Sequence, residues 1–287
     1  MLKCLTVNTT SDNNLGPQIQ SVISLFQEIE NSKEEITLDF SNYKWSPPVL
    51  SVLISSYIMS NNIAYKNCEA SYLNTISFPI GMTSNISELS EYKDKSYLPI
   101  IKFNTSKNED VTIERSDVIG LVGKMIKDIV GLPSNYYSAI AYIISEITDN
   151  IIDHSNSSYG WLSFQNYPNK GYLDLCIADS GIGLLNSYQN YKGEKEYSQI
   201  ITHSQAIQEA VSGSSTKNLK ERGYGLPTSK KMIIEGLKGK FVYCSGKALL
   251  HNNEVIDISY DYQGTFLILR IPCNNLDNSF NITNYLE

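Results

Sequence analysis

The chain has 287 residues, of which 41% are apolar, and a formal charge of −7 at pH 7. That length accommodates two domains of ordinary size, and that apolar share builds packed cores, which excludes a wholly disordered chain. The acidic balance argues against broad nucleic-acid binding, which needs a basic footprint. No run approaches the roughly 18 apolar residues that span a bilayer, so no membrane partner is expected.

Five cysteines, Cys4, Cys68, Cys176, Cys244 and Cys273, are scattered without a CxxC pair. An odd count without metal spacing reads as free thiols in a reducing compartment. The opening MLKCLTVNTTSDNN lacks the charged head and apolar run of a signal peptide, so the expected location is cytoplasmic.

In chain order, LKCLTV is a short strand candidate, and GPQIQSVISLFQEIE places Ile19, Val22, Ile23, Phe26 and Ile29 at helical intervals. EEITLDFS follows as a buried strand, then PPVLSVLISSYIMS as a helix with proline in its first turn. NIAYKNCEA and SYLPIIKFN are further strand candidates. This order predicts a small α/β domain over residues 1–104. The polar NTSKNED marks a linker at 105–112, with ELSEYKDK at 88–95 as a second candidate boundary.

A helix is expected from about Ser116, broken by GLPSN, and a longer one runs on to His154. YGWLSFQNY and GYLDLCIAD are strands joined by PNKG. Residues 184–222 carry one helix-like piece, HSQAIQEAV, amid Gly, Ser and Lys. GLPTSKKMIIEGL reads as a helix, and KFVYCS, KALLH and GTFLILRIP as closing strands. Short turns between strands predict a mostly antiparallel sheet with helices on one face, an α+β sandwich over 113–275, followed by a tail at 276–287.

The helix ending at His154 carries the first chemical pattern. At 100° per residue, Ile140, Ile143, Ile144, Ile147 and Ile151 form a core stripe, and Glu146, Asn150 and His154 run along its shoulder. Glu146 and Asn150 stand about 6 Å apart along the axis, close enough to serve one phosphate–metal group. His154 lies about 12 Å from Glu146 and is expected to be structural or a supporting neighbour. Taken alone, the row is also what an ordinary amphipathic helix presents.

Three downstream boxes change that balance. Asp179-Ser180-Gly181-Ile182-Gly183 follows an apolar strand, giving one acceptor and a backbone that a ligand can approach closely. Gly223-Tyr224-Gly225-Leu226-Pro227 opens a helix and exposes N–H groups at its positive end. Gly264-Thr265-Phe266 opens the last apolar strand. No six-residue dinucleotide fingerprint and no P-loop occurs.

In this order, ExxxNxxxH, DxGxG, a Gly/Ser-rich segment, GxGL and GTxF resemble the GHKL, or Bergerat-fold, ATP-binding superfamily over about residues 115–273. That superfamily includes gyrase, chaperone and mismatch-repair ATPases, histidine kinases and bacterial anti-sigma-factor serine kinases. The resemblance implies ATP and Mg²⁺ as cofactors, with Asn150 as the metal ligand through its amide oxygen. It implies that Asp179 accepts the adenine amino group, that Gly181 and Gly183 admit the ligand to the backbone, and that Thr265 supports the adenine end. It assigns Gly223, Tyr224, Gly225 and Leu226 to the phosphates and their hinge. Residues 184–222 become an ATP lid, whose Ser215, Thr216, Lys217, Lys220 and Arg222 are brought near the phosphates, Thr216 and Lys217 being the foremost candidates. Glu146 takes the position of a general base for water or a serine hydroxyl.

No histidine precedes His154, so a self-contained histidine kinase is not expected, and the transducer domain of the large ATPases is not expected after Cys273. EEITLDFSNYKWSPPVLSVLISSY is weakly similar to STAS domains, which are partners of anti-sigma kinases, with Ser46 or Ser51 in the place of a phosphosite. The function these readings imply is an ATP/Mg²⁺-binding regulatory protein, a nucleotide-gated switch with slow ATPase or protein-serine kinase activity toward a protein partner. The alternatives are a non-catalytic ATP-binding module in partner switching, toxin–antitoxin or phage defence, and a gyrase- or chaperone-like ATPase. By analogy with its kinase members, a homodimer is expected.

Overall fold

The structure, a computed structural model, describes residues 2–8, 13–69, 71–83, 89–192, 197–213, 225–274, 276–277 and 279–286. Strands β1 (Leu2–Thr6), β2 (Glu35–Asp39) and β3 (Ala64–Lys66) form a parallel sheet in that order, connected through α1 (Leu15–Glu30) and α2 (Pro48–Asn61). Ile36 and Leu38 point at the helices while their neighbours face outward, the period of two expected of a half-covered sheet. The α1 stripe Ile19, Val22, Ile23, Phe26 and Ile29 is buried as its spacing requires. Helix α2 is different: every residue from Pro48 to Ser56 is buried, so it has no polar face. A helix apolar all round lies between two layers, and here the second layer is another sheet.

After α3 (Ser71–Thr75), that sheet is assembled in the order β4-β5-β6-β7-β9-β8. Its strands are β4 (Met82–Thr83), β5 (Ile101–Asn104), β6 (Tyr159–Tyr167), β7 (Tyr172–Asp179), β8 (Lys240–His251) and β9 (Glu254–Pro272). All pairings are antiparallel except β4 with β5. Leu162, Leu175, Ile177, Leu267 and Leu269 face one way, into a core with α4 (Glu109–Val130), α5 (Ser134–His154) and α8 (Gly225–Lys231). A π-helical turn, Met232–Gly236, continues α8. Trp161, Cys176, Ala178, Val242, Cys244, Phe266 and Ile268 face the other way, into one core with α1 and α2. The mixed, mostly antiparallel sheet under helices is the expected α/β sandwich.

Coverage of the second face is the main departure, because helices were expected on one face only. β6 and β7 are buried on both faces, and their polar residues Ser163, Gln165, Asn166 and Asp174 are buried with them. Each buried aliphatic side chain of α2, from Val49 to Ile58, contributes roughly 1.5–3 kcal/mol relative to exposure. Phe26 stacks on Tyr57 at 4.0 Å between ring centroids, and Tyr260 of β9 donates to Glu30 at 2.7 Å. A cross-strand fork from Arg270 to Asp174, 2.7 and 2.8 Å long, sits on this same side, and the Arg270 guanidinium also reaches the Asn13 carbonyl at 2.7 Å.

Boundaries differ for identifiable reasons. SYLPIIKFN does form a strand, but β5 pairs with β6, so residues 101–104 belong to the second sheet. The polar stretch around 104–110 supplies the start of α4: Asn108 caps the Asp110 amide, and Glu109 and Asp110 sit in the positive first turn. The helix therefore begins at Glu109 rather than near Ser116. KFVYCS and KALLH are one strand, β8, interrupted by a bulge at Ser245 and Gly246, and β9 begins ten residues earlier than GTF, at Glu254. Its outer half buries only Tyr260 and Tyr262, a weaker signal than a wholly apolar run. Ser46 and Ser51 are both buried at 1% exposure, with Ser46 hydrogen-bonded to Tyr43, so neither is open to a kinase in this fold.

Thiol accessibility reports the α2–sheet contact directly. Cys4 is exposed, whereas Cys176 and Cys244 are buried in the core shared with α1 and α2, where burial also pushes both thiols up in pKa. In the native protein Cys4 is expected to react with a thiol reagent while Cys176 and Cys244 react only after unfolding. Mass mapping of the labelled cysteines checks this, and early labelling of Cys176 would contradict the packing.

Candidate functional site

Helix α5 starts where Gly131, in the left-handed region at φ 69°, ends α4 and Pro133 turns the chain. Its isoleucine stripe is buried against the sheet, which leaves Glu146 and Asn150 half-buried on the shoulder, one turn apart. Tyr142 lies one helical turn before Glu146, on the same side of α5. Burial first, then the Glu146 charge, pushes the phenol up to about 12. Asp149 and Asp153 are turned toward α4, where they act on Arg115, and Asp153 pairs with Lys107 at 2.9 Å. The Asn150 amide makes no hydrogen bond among the described residues and is available to a ligand. His154 ends the helix, half-buried.

At the end of β7, Asp179 lies on the same sheet face as Leu175 and Ile177, toward α5, and is 1% exposed. Its Oδ1 accepts the Gly181 amide at 2.8 Å and its Oδ2 accepts the Thr265 hydroxyl at 2.5 Å. Thr265 is the residue directly opposite on β9. Each carboxylate oxygen keeps a lone pair for a further donor. Burial raises the pKa of Asp179 to about 6, only partly offset by these two donors.

The glycines are where the chain is tightest. A Cβ on Gly181 would overlap the Ser155 carbonyl, the same oxygen that accepts the Ile182 amide at 2.7 Å. Gly183 has φ +72° and leads into α6 (Gly183–Gln189), with Leu184 N–H donating to Ser245 Oγ at 2.8 Å. A Cβ on Gly225, the first residue of α8, would overlap the Glu146 carboxylate. Leu226 beside it is buried in the inner core. Thr216, Lys217, Gly223 and Tyr224, like Ser215, Lys220 and Arg222, lie outside the described residues. Beside the 180–183 loop an open cleft of about 610 Å³ runs between Asn156, Asn186, His203, Asp261 and Gln263.

The described part of the segment 184–222 packs on the sandwich. Besides α6 it contains α7 (His203–Ser212), which starts with a full capping box at Thr202 and Gln205 and buries Ala206 and Ile207. Ile207 joins the inner core, while Tyr188, Tyr197, Ile200 and Ala206 form a small cluster of their own. Ser245 and Ser155, which hold the loop in place, carry no sequence signal of their own. They matter because β8 and the end of α5 meet the loop in space.

These residues fit a bound nucleotide. A buried, singly satisfied pair of carboxylate oxygens suits an exocyclic amino group, and side-chain-free backbone lines the approach. Among the described residues no group of three His, Cys, Asp or Glu side chains is placed to hold a metal by itself. A cation here would take its protein ligand from Asn150 and the rest from phosphate and water, as Mg²⁺ commonly does. The fold and the site together define an ATP-binding domain of the Bergerat type. The sequence profile of the histidine kinase-, DNA gyrase B-, and HSP90-like ATPases matches residues 136–275, and this stretch of the chain belongs to that family. A search among curated proteins finds none that matches the chain.

The raised pKa of Asp179 has a stability consequence. Its folded-state value of about 6 stands above the ordinary 3.8, so its contribution is fully present below pH 4 and is lost as pH rises through 6. Asp179→Asn removes that titration. The melting temperature of the variant relative to wild type is therefore expected to rise between pH 4.5 and 7.5 without nucleotide, while stabilisation by ATP is lost. A difference that stays flat with pH would contradict the buried, titrating carboxylate.

Proposed function

We propose that this protein is an ATP- and Mg²⁺-dependent regulatory switch that transfers or releases the terminal phosphoryl group slowly, with a protein as its partner. The observation that carries this reading is the contact between Glu146 and Gly225. The carboxylate of the α5 shoulder lies against the backbone at the first residue of α8. A base in that position senses what happens at the α8 entrance.

Bound nucleotide supplies the phosphoryl group and its cation; the chain's own residues do the remainder. Asp179 orients the base through the amino group it accepts, and Thr265 holds that carboxylate in place. Asn150 offers the oxygen a hard cation needs. Glu146 takes the proton from a water or from a serine hydroxyl of the partner, within one hydrogen bond or one intervening water. The absence of a side chain at Gly225 lets Glu146 occupy its place, and the α8 amides present positive dipole ends on that side.

The test separates binding from chemistry. With radiolabelled ATP, Glu146→Gln is expected to lower phosphate release or protein labelling by about 10²–10⁴-fold, while ATP still raises the melting temperature. Gly225→Ala, which displaces the carboxylate, is expected to lower turnover by roughly tenfold with the fold retained. Undiminished turnover in Glu146→Gln would remove Glu146 from the chemistry. No turnover in wild type, with ATP still binding, would leave a non-catalytic module.

A further inference from the structure

At the end of β7, alternation sends Asp179 toward α5 and its neighbour Ser180 to the opposite side, where the last turn of α2 lies. The Ser60 hydroxyl of α2 donates to Ser180 Oγ at 2.6 Å. Ser157, in the turn after α5, donates its own hydroxyl proton to the Tyr159 carbonyl at 2.8 Å. Toward Ser180, 3.5 Å away, Ser157 is therefore an acceptor. The direction of the string follows: Ser60 to Ser180, Ser180 to Ser157, Ser157 to the backbone. Hydrogen bonds aligned in one direction strengthen one another.

We propose that Ser60, contributed by the N-terminal unit, is a positioning residue for the nucleotide-binding loop Asp179–Gly183. The proposal rests on the ATP-binding reading of that loop. Ser180 stands between Asp179 and Gly181, whose amide holds the Asp179 carboxylate at 2.8 Å, so a shift at Ser180 moves both groups that meet the base. The support is firm on the α2 side. The helix is buried from Pro48 to Ser56 against β6 and β7, and it stops at Asn62 in the left-handed region. Around the contact, Ser56, Tyr57 and Asn61 of α2 close on Ser180, Tyr262 and Gln263 across a narrow gap. On the other side the Ser155 carbonyl holds the Ile182 amide at 2.7 Å. The loop is thus gripped between the N-terminal unit and the end of α5, and the N-terminal unit sets the geometry of the nucleotide site without touching the nucleotide.

The test uses the full chain with Ser60→Ala, Ser60→Thr, Ser180→Ala and the double alanine variant. Hydrogen exchange of the Gly181 and Ile182 amides is measured without nucleotide, and ATP affinity by titration. Ser60→Ala is expected to speed exchange of those amides and to weaken ATP, each by about fivefold, the worth of one hydrogen bond. The melting temperature of the free protein should move by no more than about 2 °C, because Ser60 is exposed. Ser60→Thr, which keeps the hydroxyl, restores both readouts, and Ser60→Ala adds nothing in the Ser180→Ala background. Unchanged exchange in Ser60→Ala overturns the proposal, as does an equal loss in both backgrounds. Absence of ATP binding in wild type would count against the nucleotide reading alone, since the exchange comparison needs no nucleotide.

Discussion

A sheet that is apolar on both faces governs this molecule. Along β7, Leu175 and Ile177 alternate with Cys176 and Ala178, and none of the four tolerates water. One set is covered by α4, α5 and α8, the other by α2. Neither cover is optional, because an exposed central strand would present several large apolar side chains at once. The N-terminal unit is therefore part of the ATP-binding architecture in energetic terms, although its own sheet is separate.

The site follows from that sandwiching. Pinning the isoleucine stripe of α5 to the inner face leaves its shoulder pointing along the sheet end, which is where Glu146 and Asn150 stand. The same face carries Asp179 and, directly opposite, Thr265, so the acceptor comes ready-paired with the hydroxyl that holds it. The loop between β7 and α6 then has to cross the end of the sheet with almost no room. Gly181 against Ser155 and Gly264 against the Asp179 backbone show how little space is left for a Cβ. Its Ser180 side chain meets α2.

The chemical boxes were legible because each couples residue type to a local geometry. ExxxN recurs at one helical turn, a carboxylate followed by glycines marks a strand end, and an apolar stripe orients the helix that bears them. The start of α4 and the extent of β8 and β9 were less legible. Asn108, Glu109 and Asp110 read as linker because capping residues and loop residues are the same types. The outer half of β9 reads as polar because it buries only Tyr260 and Tyr262.

Periodicity and the order of the motifs were sufficient for the class of fold, the helix that carries Glu146 and Asn150, and the place of Asp179 at a strand end before glycines. Those properties depend on neighbours within one or two turns of chain, and short-range geometry is written in short-range spacing. What covers the second face of the sheet, why α2 has no polar side, the closeness of Gly225 to Glu146, and the Ser60–Ser180–Ser157 string came only with the folded chain. Each joins residues far apart in sequence, 120 positions in the case of Ser60 and Ser180. No local pattern encodes such a meeting. It arises because an apolar helix and an apolar sheet face exclude water from one another, and the polar groups at their margins are left to pair with whatever lies beside them.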